Sequence, residues 1–276
     1  MKIDLSQATF IIPIRIESSD RLRNVITITA FLVENFDTNI IVKEVDSKSV
    51  FQEQAMPILE EIVEGDIWKN FNFIFERSDK PLFHRQRVLN EMIMEADTDI
   101  VVNYDCDVVF PITSYLEAYR KIMENESDMI YPYGEGPWQY KIFCDDQMVS
   151  DFLNNDYDFN ILKRKSYNDN AGEGWVQFIK RDVYFEAGME NENFMGSAPD
   201  DFERRYRFTT LGYRVDRVND YIYHLEHSRG MNSYPQSMSQ HPYWKHNWGL
   251  WEQLKEYSKE QLIDYYSKQE YLKKYN

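Results

Sequence analysis

Two cysteines in 276 residues, Cys106 and Cys144, are too few for a disulfide framework, and they fit a reducing compartment. No stretch of about 18 apolar residues occurs, so no membrane-spanning helix is expected. The opening Met-Lys-Ile-Asp-Leu-Ser lacks the apolar centre and cleavage site of a secretory signal, which makes the cytosol the expected location. Basic residues are scarce too. Against 47 Asp and Glu stand only 31 Lys and Arg, a formal charge of −16, and a chain without a basic face is a poor partner for nucleic acid. Internal repeats and low-complexity linkers are missing as well. What remains is enough chain for one large α/β domain with an appendage, or for two small domains, and 43% hydrophobic residues suffice for a sizeable core.

Residues 9–15 (Thr-Phe-Ile-Ile-Pro-Ile-Arg) read as an opening strand, with Ser18, Ser19 and Asp20 as helix N-cap candidates. Leu22, Val25, Thr29 and Leu32 then recur at helical spacing, and residues 39–45 and 72–75 read as further strands. Val88, Leu89, Met92, Ile93 and Ala96 form the apolar stripe of a helix that leads into the run 98–104. Strand and helix in alternation predict a mostly parallel sheet with helices on both faces. From residue 133 the regularity weakens: 133–138 and 154–158 read as loops, and 175–179 as one more strand. After Tyr234 the chain turns rich in Pro, His, Trp and Tyr, and residues 252–274 read as a charged helical stretch serving as lid, interaction helix or packing.

The apolar run ends in Asp105-Cys106-Asp107. Ligand sites of open α/β sheets lie beyond the carboxyl ends of such strands, and residues two apart in an extended chain point the same way. Both acids can therefore face one cation and the diphosphate bridged to it, although such triplets also occur in solvated turns. A Gly-Ser-Ala-Pro turn precedes a second cluster, Asp200-Asp201-Phe202-Glu203, followed by Arg204, Arg205 and Arg207. Acids in the first turn of a helix are stabilised by its macrodipole, so capping explains them as readily as catalysis does. A third cluster places His224 and His227 three residues apart, near Arg229: on a helix they share a face, in an extended segment they diverge.

Taken in order, these segments resemble the metal-dependent GT-A glycosyltransferases, especially the inverting beta-1,4-galactosyltransferase and chondroitin-synthase type. The family's Pro-x-Arg is matched by Pro13-Ile14-Arg15, and its Phe-x-Arg-x-x-x-Leu-Asn by the segment from Phe83 through Arg85 to Asn90. Asp105-Cys106-Asp107 matches its Asp-x-Asp, and Asp200-Asp201-Phe202-Glu203 with Arg207 its acidic helix start. His227-Ser228-Arg229 matches its terminal His-Ser-Arg. The likeness covers about residues 8–232, and residues 233–276 then form a C-terminal aromatic-rich helical extension. Two departures stand out. The family's sugar-stacking aromatic before the acidic cluster is Ser197 here, with Ala198-Pro199 in place of Gly-Gly, and His224 stands where some relatives carry Met.

The resemblance implies a GT-A fold and transfer of a hexose or N-acetylhexosamine from a UDP-sugar to an oligosaccharide, polysaccharide or glycolipid acceptor, as in polysaccharide biosynthesis. Mn²⁺ is the implied ion, with Mg²⁺ as the alternative, held by Asp107, His227 and His224. Pro13, Arg15, Arg85, Asp105 and Asp107 would bind the donor, with Glu44 or Asp46 on the base or ribose. Asp200, Glu203 and Trp175 would face the acceptor. Asp201 would be the general base, and one base on the far face gives inversion. A hydrolase of plain glycosides would instead need a second carboxyl group as proton donor. A retaining GT-A enzyme would share the Asp105/Asp107 site without needing Asp201 as base. A non-catalytic carbohydrate-binding protein would fit the 16% aromatic content. Peripheral contact with a membrane stays open.

Overall fold

The computed structural model describes residues 2–63, 67–196, 198–232 and 241–275. Its first half alternates as expected: β1 (Ile3–Ile14), α1 (Ser19–Asn35), β2 (Phe36–Asp46), α2 (Met56–Ile62), β3 (Phe71–Arg77), α3 (Arg85–Glu95) and β4 (Ile100–Tyr104). Continuous apolar runs make the central strands. Phe10, Ile11 and Ile12 of β1 and all five residues of β4 are buried, as strands covered on both faces must be. Ser18 caps α1, its hydroxyl accepting from the Arg21 N–H, and ten successive residues of that helix, Asn24 to Val33, are buried.

The second half supplies β5 (Val108–Val109), α4 (Ile112–Met123), β6 (Met129–Tyr131), β7 (Gly136–Ile142), α5 (Asp146–Asn154), α6 (Phe159–Lys163) and β8 (Ser166–Ala171). After these come β9 (Val176–Lys180), α7 (Arg181–Glu186), α8 (Asp200–Leu211), β10 (Val215–Arg217), β11 (Ile222–Leu225), α9 (Trp244–Leu254) and α10 (Lys259–Ser267). Seven strands form the central sheet in the order β10-β6-β9-β4-β1-β2-β3, and helices flank it. Only β9 runs against its neighbours β4 and β6. A smaller sheet, β5-β11-β7-β8, stands beside the carboxyl end of β4. Among the described residues, no helix is long and apolar enough to cross a membrane.

Three expectations change. Residues 133–138 are not wholly loop: from Gly136 they open β7, which pairs with β11 and β8 and whose strand character comes from these distant partners rather than from its own composition. The charged stretch 252–274 is not one helix. α9 begins earlier, at Trp244, and a break at residues 255–257 precedes α10, which Ser258 and Gln261 close with reciprocal capping hydrogen bonds. α9 and α10 pack on α8 around Phe194, Leu254, Leu262 and Tyr266. Ser197, and residues 233–240 at the expected start of the extension, lie outside the described residues.

Glu203 is the third correction. It sits inside α8, buried, with Arg207 donating to it at 2.9 Å and the Tyr266 hydroxyl of α10 donating as well. The Arg207 guanidinium lies 4.4 Å from the centre of the Tyr266 ring. Glu203 thus ties the C-terminal helices to α8. Breaking a buried pair leaves an uncompensated charge, so Glu203→Ala should lower the unfolding free energy by about 3–5 kcal/mol in denaturant titrations. A loss under about 1 kcal/mol would contradict this anchoring role.

Candidate active site

A cavity of about 880 Å³ opens beyond the carboxyl ends of β1 and β4. At its floor the chain leaves β4 at Tyr104 and turns through Asp105, Cys106 and Asp107 into β5, so the two acids sit in a turn rather than on an extended strand. The Tyr104 hydroxyl, donating to the Val108 carbonyl at 2.9 Å, braces that turn. Asp105 and Asp107 consequently take different partners. Arg85, at the start of α3, donates to Asp105 Oδ1 at 2.6 Å, whereas Asp107 Oδ2 lies 2.9 Å from His227 Nε2 and 3.8 Å from His224 Nε2.

Asp107, His224 and His227 each place one ligand atom within 4.8 Å of the others. His224 lies on an extended strand, where a residue three further on should diverge. The chain bends after β11 and brings His227 back to the same carboxylate. The donor set suits a divalent ion. His227 Nδ1 donates to the Ser228 carbonyl at 2.7 Å, which leaves the Nε2 lone pair facing the site, and the buried Asp107 Oδ1 has no hydrogen-bond partner among the described residues. Burial would lower the pKa of His224, but Asp107 and Glu226 outweigh it and lift it to about 9. Burial would raise Asp107, and the two imidazoles hold it well below the usual carboxylate range instead. Asp105 goes up, through burial and the nearby Asp107 and Asp201 charges, with Arg85 opposing.

Across the cavity, the first turn of α8 presents Asp200 and Asp201. The buried Arg204 holds Asp201 Oδ1 at 3.0 Å and grips Glu190 with two 2.7 Å contacts. Asp201 Oδ2 lies over Gly174, where a Cβ would come within 2.8 Å of it; the glycine also has φ +112°. Asp200 is more deeply buried, between Arg85 at 3.7 Å and Arg204 at 3.5 Å. Burial and the neighbouring Asp201 charge push it up to about 7.

Other expected residues divide. Pro13 and Arg15 line the cavity, but Arg15 turns Nε and one terminal nitrogen to the carbonyls of Val45, Lys80 and Pro81. Glu44 is absent from the lining. It is buried and accepts from the Ser49 hydroxyl and the Val50 and Phe51 amides, closing the turn after β2. Asp46 also stays off the lining and lies 3.9 Å from Arg15 Nε. Trp175 lines the cavity at its metal end, its ring 6.1 Å from that of His224. Several lining residues escaped the sequence reading. Phe83 opens the matched segment that holds Arg85 but was given no role of its own, and Gln139, which lies 3.3 Å from His224 Nδ1, follows directly on the residues 133–138 read as loop. Glu226 stands between the two histidines, and Phe202 and Trp248 complete the side next to Asp201.

No protein-family model matches the chain, and no curated protein does. Solved structures match by shape. The chain is similar to the catalytic domain of Drosophila beta1,4galactosyltransferase 7 in complex with xylobiose (15% identity, 81% of this chain and 72% of that one, TM-score 0.47). It is similar to the mannosyltransferase PcManGT from Pyrobaculum calidifontis in complex with GDP-Man and Mn²⁺ (15% identity, 81% and 58% covered, TM-score 0.50). GalNAc-T7 with UDP, GalNAc and Mn²⁺ is a third (13% identity, 81% and 44% covered, TM-score 0.53). The chain spans little more than half the length of the second and under half of the third. These last two likenesses establish the GT-A fold.

Metal ligation by His224 requires the neutral ring, and its proton is held up to about pH 9. Mn²⁺ affinity, measured by calorimetry on the metal-free protein, should therefore rise as pH is raised from about 6 towards 9 and fall as it is lowered. A flat profile over that interval would mean that no proton leaves His224 when the ion binds.

Proposed function

We propose that this chain is a divalent-metal-dependent inverting glycosyltransferase, moving a hexose or N-acetylhexosamine from a UDP-sugar to a hydroxyl of a glycan acceptor. The observation that carries the reading is one cavity with Asp107, His224 and His227 at one end and Asp201 on the facing helix. GDP-Man with Mn²⁺ in one structural neighbour of TM-score 0.50 or above, and UDP, GalNAc and Mn²⁺ in the other, support a nucleotide-sugar donor.

Leaving-group charge decides the chemistry. A bound divalent cation would neutralise the diphosphate of the donor, which an acidic protein otherwise repels. Asp107, His224 and His227 would hold it. Arg85, fixed by Asp105 and by the Asn103 side chain, lines the same cavity beside the diphosphate. The acceptor oxygen attacks the anomeric carbon, its proton passes to Asp201, and the bond to the β-phosphate oxygen breaks with its electron pair leaving on the nucleotide. With Oδ1 held by Arg204, Oδ2 is the oxygen that takes the proton. Attack from the face opposite the leaving group inverts the anomeric centre.

A screen of nucleotide sugars with Mn²⁺, followed by nucleotide release, tests the reading, and exhaustive chelation should abolish turnover. Asp107→Ala should lose metal affinity and rate together. Asp201→Asn keeps shape and removes basicity, so it should leave donor affinity nearly intact and slow transfer by about 10²-fold or more. Normal turnover in Asp201→Asn, or a product whose anomeric configuration is retained, would overturn the inverting mechanism. Donor binding without any turnover would select a binding protein.

A further inference from the structure

The wall next to Asp201 has a composition that catalysis at Asp201 does not account for. Phe202 is 41% exposed, a costly placement for a phenyl ring, and it lines the cavity one residue after the proposed base. Trp248 of α9 lines the same side, its ring centre 6.3 Å from that of Phe202 in an edge-to-face arrangement, and Trp244 backs it at 5.1 Å. The Trp248 indole N–H is buried and has no acceptor among the described residues. With its N–H shielded, what Trp248 offers to a ligand in the cavity is its ring, a large apolar face suited to the C–H face of a sugar.

Its placement is fixed from both sides. Asn247, 1% exposed, accepts from the Met195 N–H at 3.1 Å and donates to the carbonyls of Met195 at 2.9 Å and Ala198 at 3.2 Å. The helix carrying Trp248 is thereby clamped to the strap that leads into Asp200 and Asp201. Asp201 brings negative charge to this wall, while Arg204 lies wholly buried behind it.

We infer that Phe202 and Trp248 form the acceptor subsite, seating the C–H face of an uncharged pyranose against their rings. This rests on the glycosyltransferase reading and deepens it: the C-terminal helices belong to the substrate site, and Trp175, against His224, belongs to the donor end. The stacking wall is supplied from a helix more than forty residues beyond the acidic cluster. An anionic sugar is disfavoured by the Asp201 carboxylate.

The test uses the full chain with UDP and Mn²⁺ present. Methyl β-glucoside, methyl β-galactoside and methyl β-N-acetylglucosaminide are the neutral probes and methyl β-glucuronide the charged one, read by saturation-transfer NMR and calorimetry. At least one neutral glycoside should bind with its ring C–H signals saturated, and the glucuronide should bind more weakly. Trp248→Ala removes the indole ring, so it should weaken that glycoside about tenfold. Phe202→Ala should weaken it about tenfold. UDP·Mn²⁺ affinity should not change in either variant. Glycoside affinities unaltered by both substitutions, or a UDP·Mn²⁺ affinity that falls in step with them, would overturn the subsite. So would tightest binding of the glucuronide, or UDP·Mn²⁺ binding with no glycoside bound, and in these cases the transferase reading survives. Failure of the wild type to bind either UDP or GDP with Mn²⁺ would sink that reading and the subsite with it.

Discussion

The guanidinium of Arg204 has no solvent exposure, and the arrangement of the cavity depends on how its charge is met. An unpaired arginine at that depth costs several kcal/mol, so its partners are held firmly. Nε and one terminal nitrogen grip Glu190, and the other reaches Asp201 at 3.0 Å and Gln177 Oε1 at 3.2 Å. Gln177 also accepts from the Asn103 side chain at 3.1 Å, and Asn103 in turn accepts from Arg85, which holds Asp105. One polar spine thus runs through β9 and β4 from the acid on α8 to the acid below the metal cluster. Each member is satisfied by the next, and this gives a buried polar network its rigidity. This spine, rather than a loop, ties Asp201 on α8 to Asp105 beyond β4.

Along that spine, identical carboxyl groups receive different characters from their surroundings. Asp200 and Asp105 are buried beside like charges and are raised, Asp200 to about 7, while Asp107 is held low by two imidazoles. Pushing neighbouring titratable groups apart in this way lets one pocket contain both an ion-binding carboxylate and others that share or carry protons. The chain's charge of −16 is no obstacle to an anionic ligand, because potential inside a cavity is governed by the nearest charges. Arg15, Arg21, Arg85 and Arg229 all border this one.

Legibility in the sequence followed the range of the forces involved. The apolar runs of β1, β2 and β4 and the stripe of α3 declared themselves, because burial on both faces or on one helical face writes a local pattern. Asp105, Asp107, Asp201 and the two histidines stood out as polar residues at the edges of such patterns, and the cavity brings them together. Glu44 and Glu203 had the same local signature, yet they cap a turn and brace a helix. Only their partners distinguish them, Ser49 and the Val50 and Phe51 amides for one and Arg207 with Tyr266 for the other, and Tyr266 lies 63 residues away in sequence. β7 was hidden for a related reason: Gly-Pro-Trp at its start reads as a turn, and its pairing with β11 is more than eighty residues distant. Trp248 was invisible as a site residue because an aromatic in an amphipathic helix is ordinarily packing.

The ion-binding end shows how a pairing register can create a site that spacing alone would deny. Asp107 and His224 are more than a hundred residues apart, and His224 and His227 should point away from one another if the strand continued. β11 pairs antiparallel with the two-residue β5, His224 opposite Val108, and the Leu225 N–H donates to the Asp107 carbonyl at 2.7 Å. That pairing starts immediately after the turn holding Asp107, so the register alone delivers His224 to it. Shifting β11 by a single residue would turn His224 to the opposite face of the sheet and put a neighbouring Tyr223 or Leu225 in its place. The strand then stops, since Glu226 pairs only by its amide with Ile142 and the chain curls until the His227 ring is locked by the Ser228 carbonyl. A short strand with a fixed register and an abrupt end therefore does what neither a helix nor a longer strand would do with these residues: it points two imidazoles at one carboxylate.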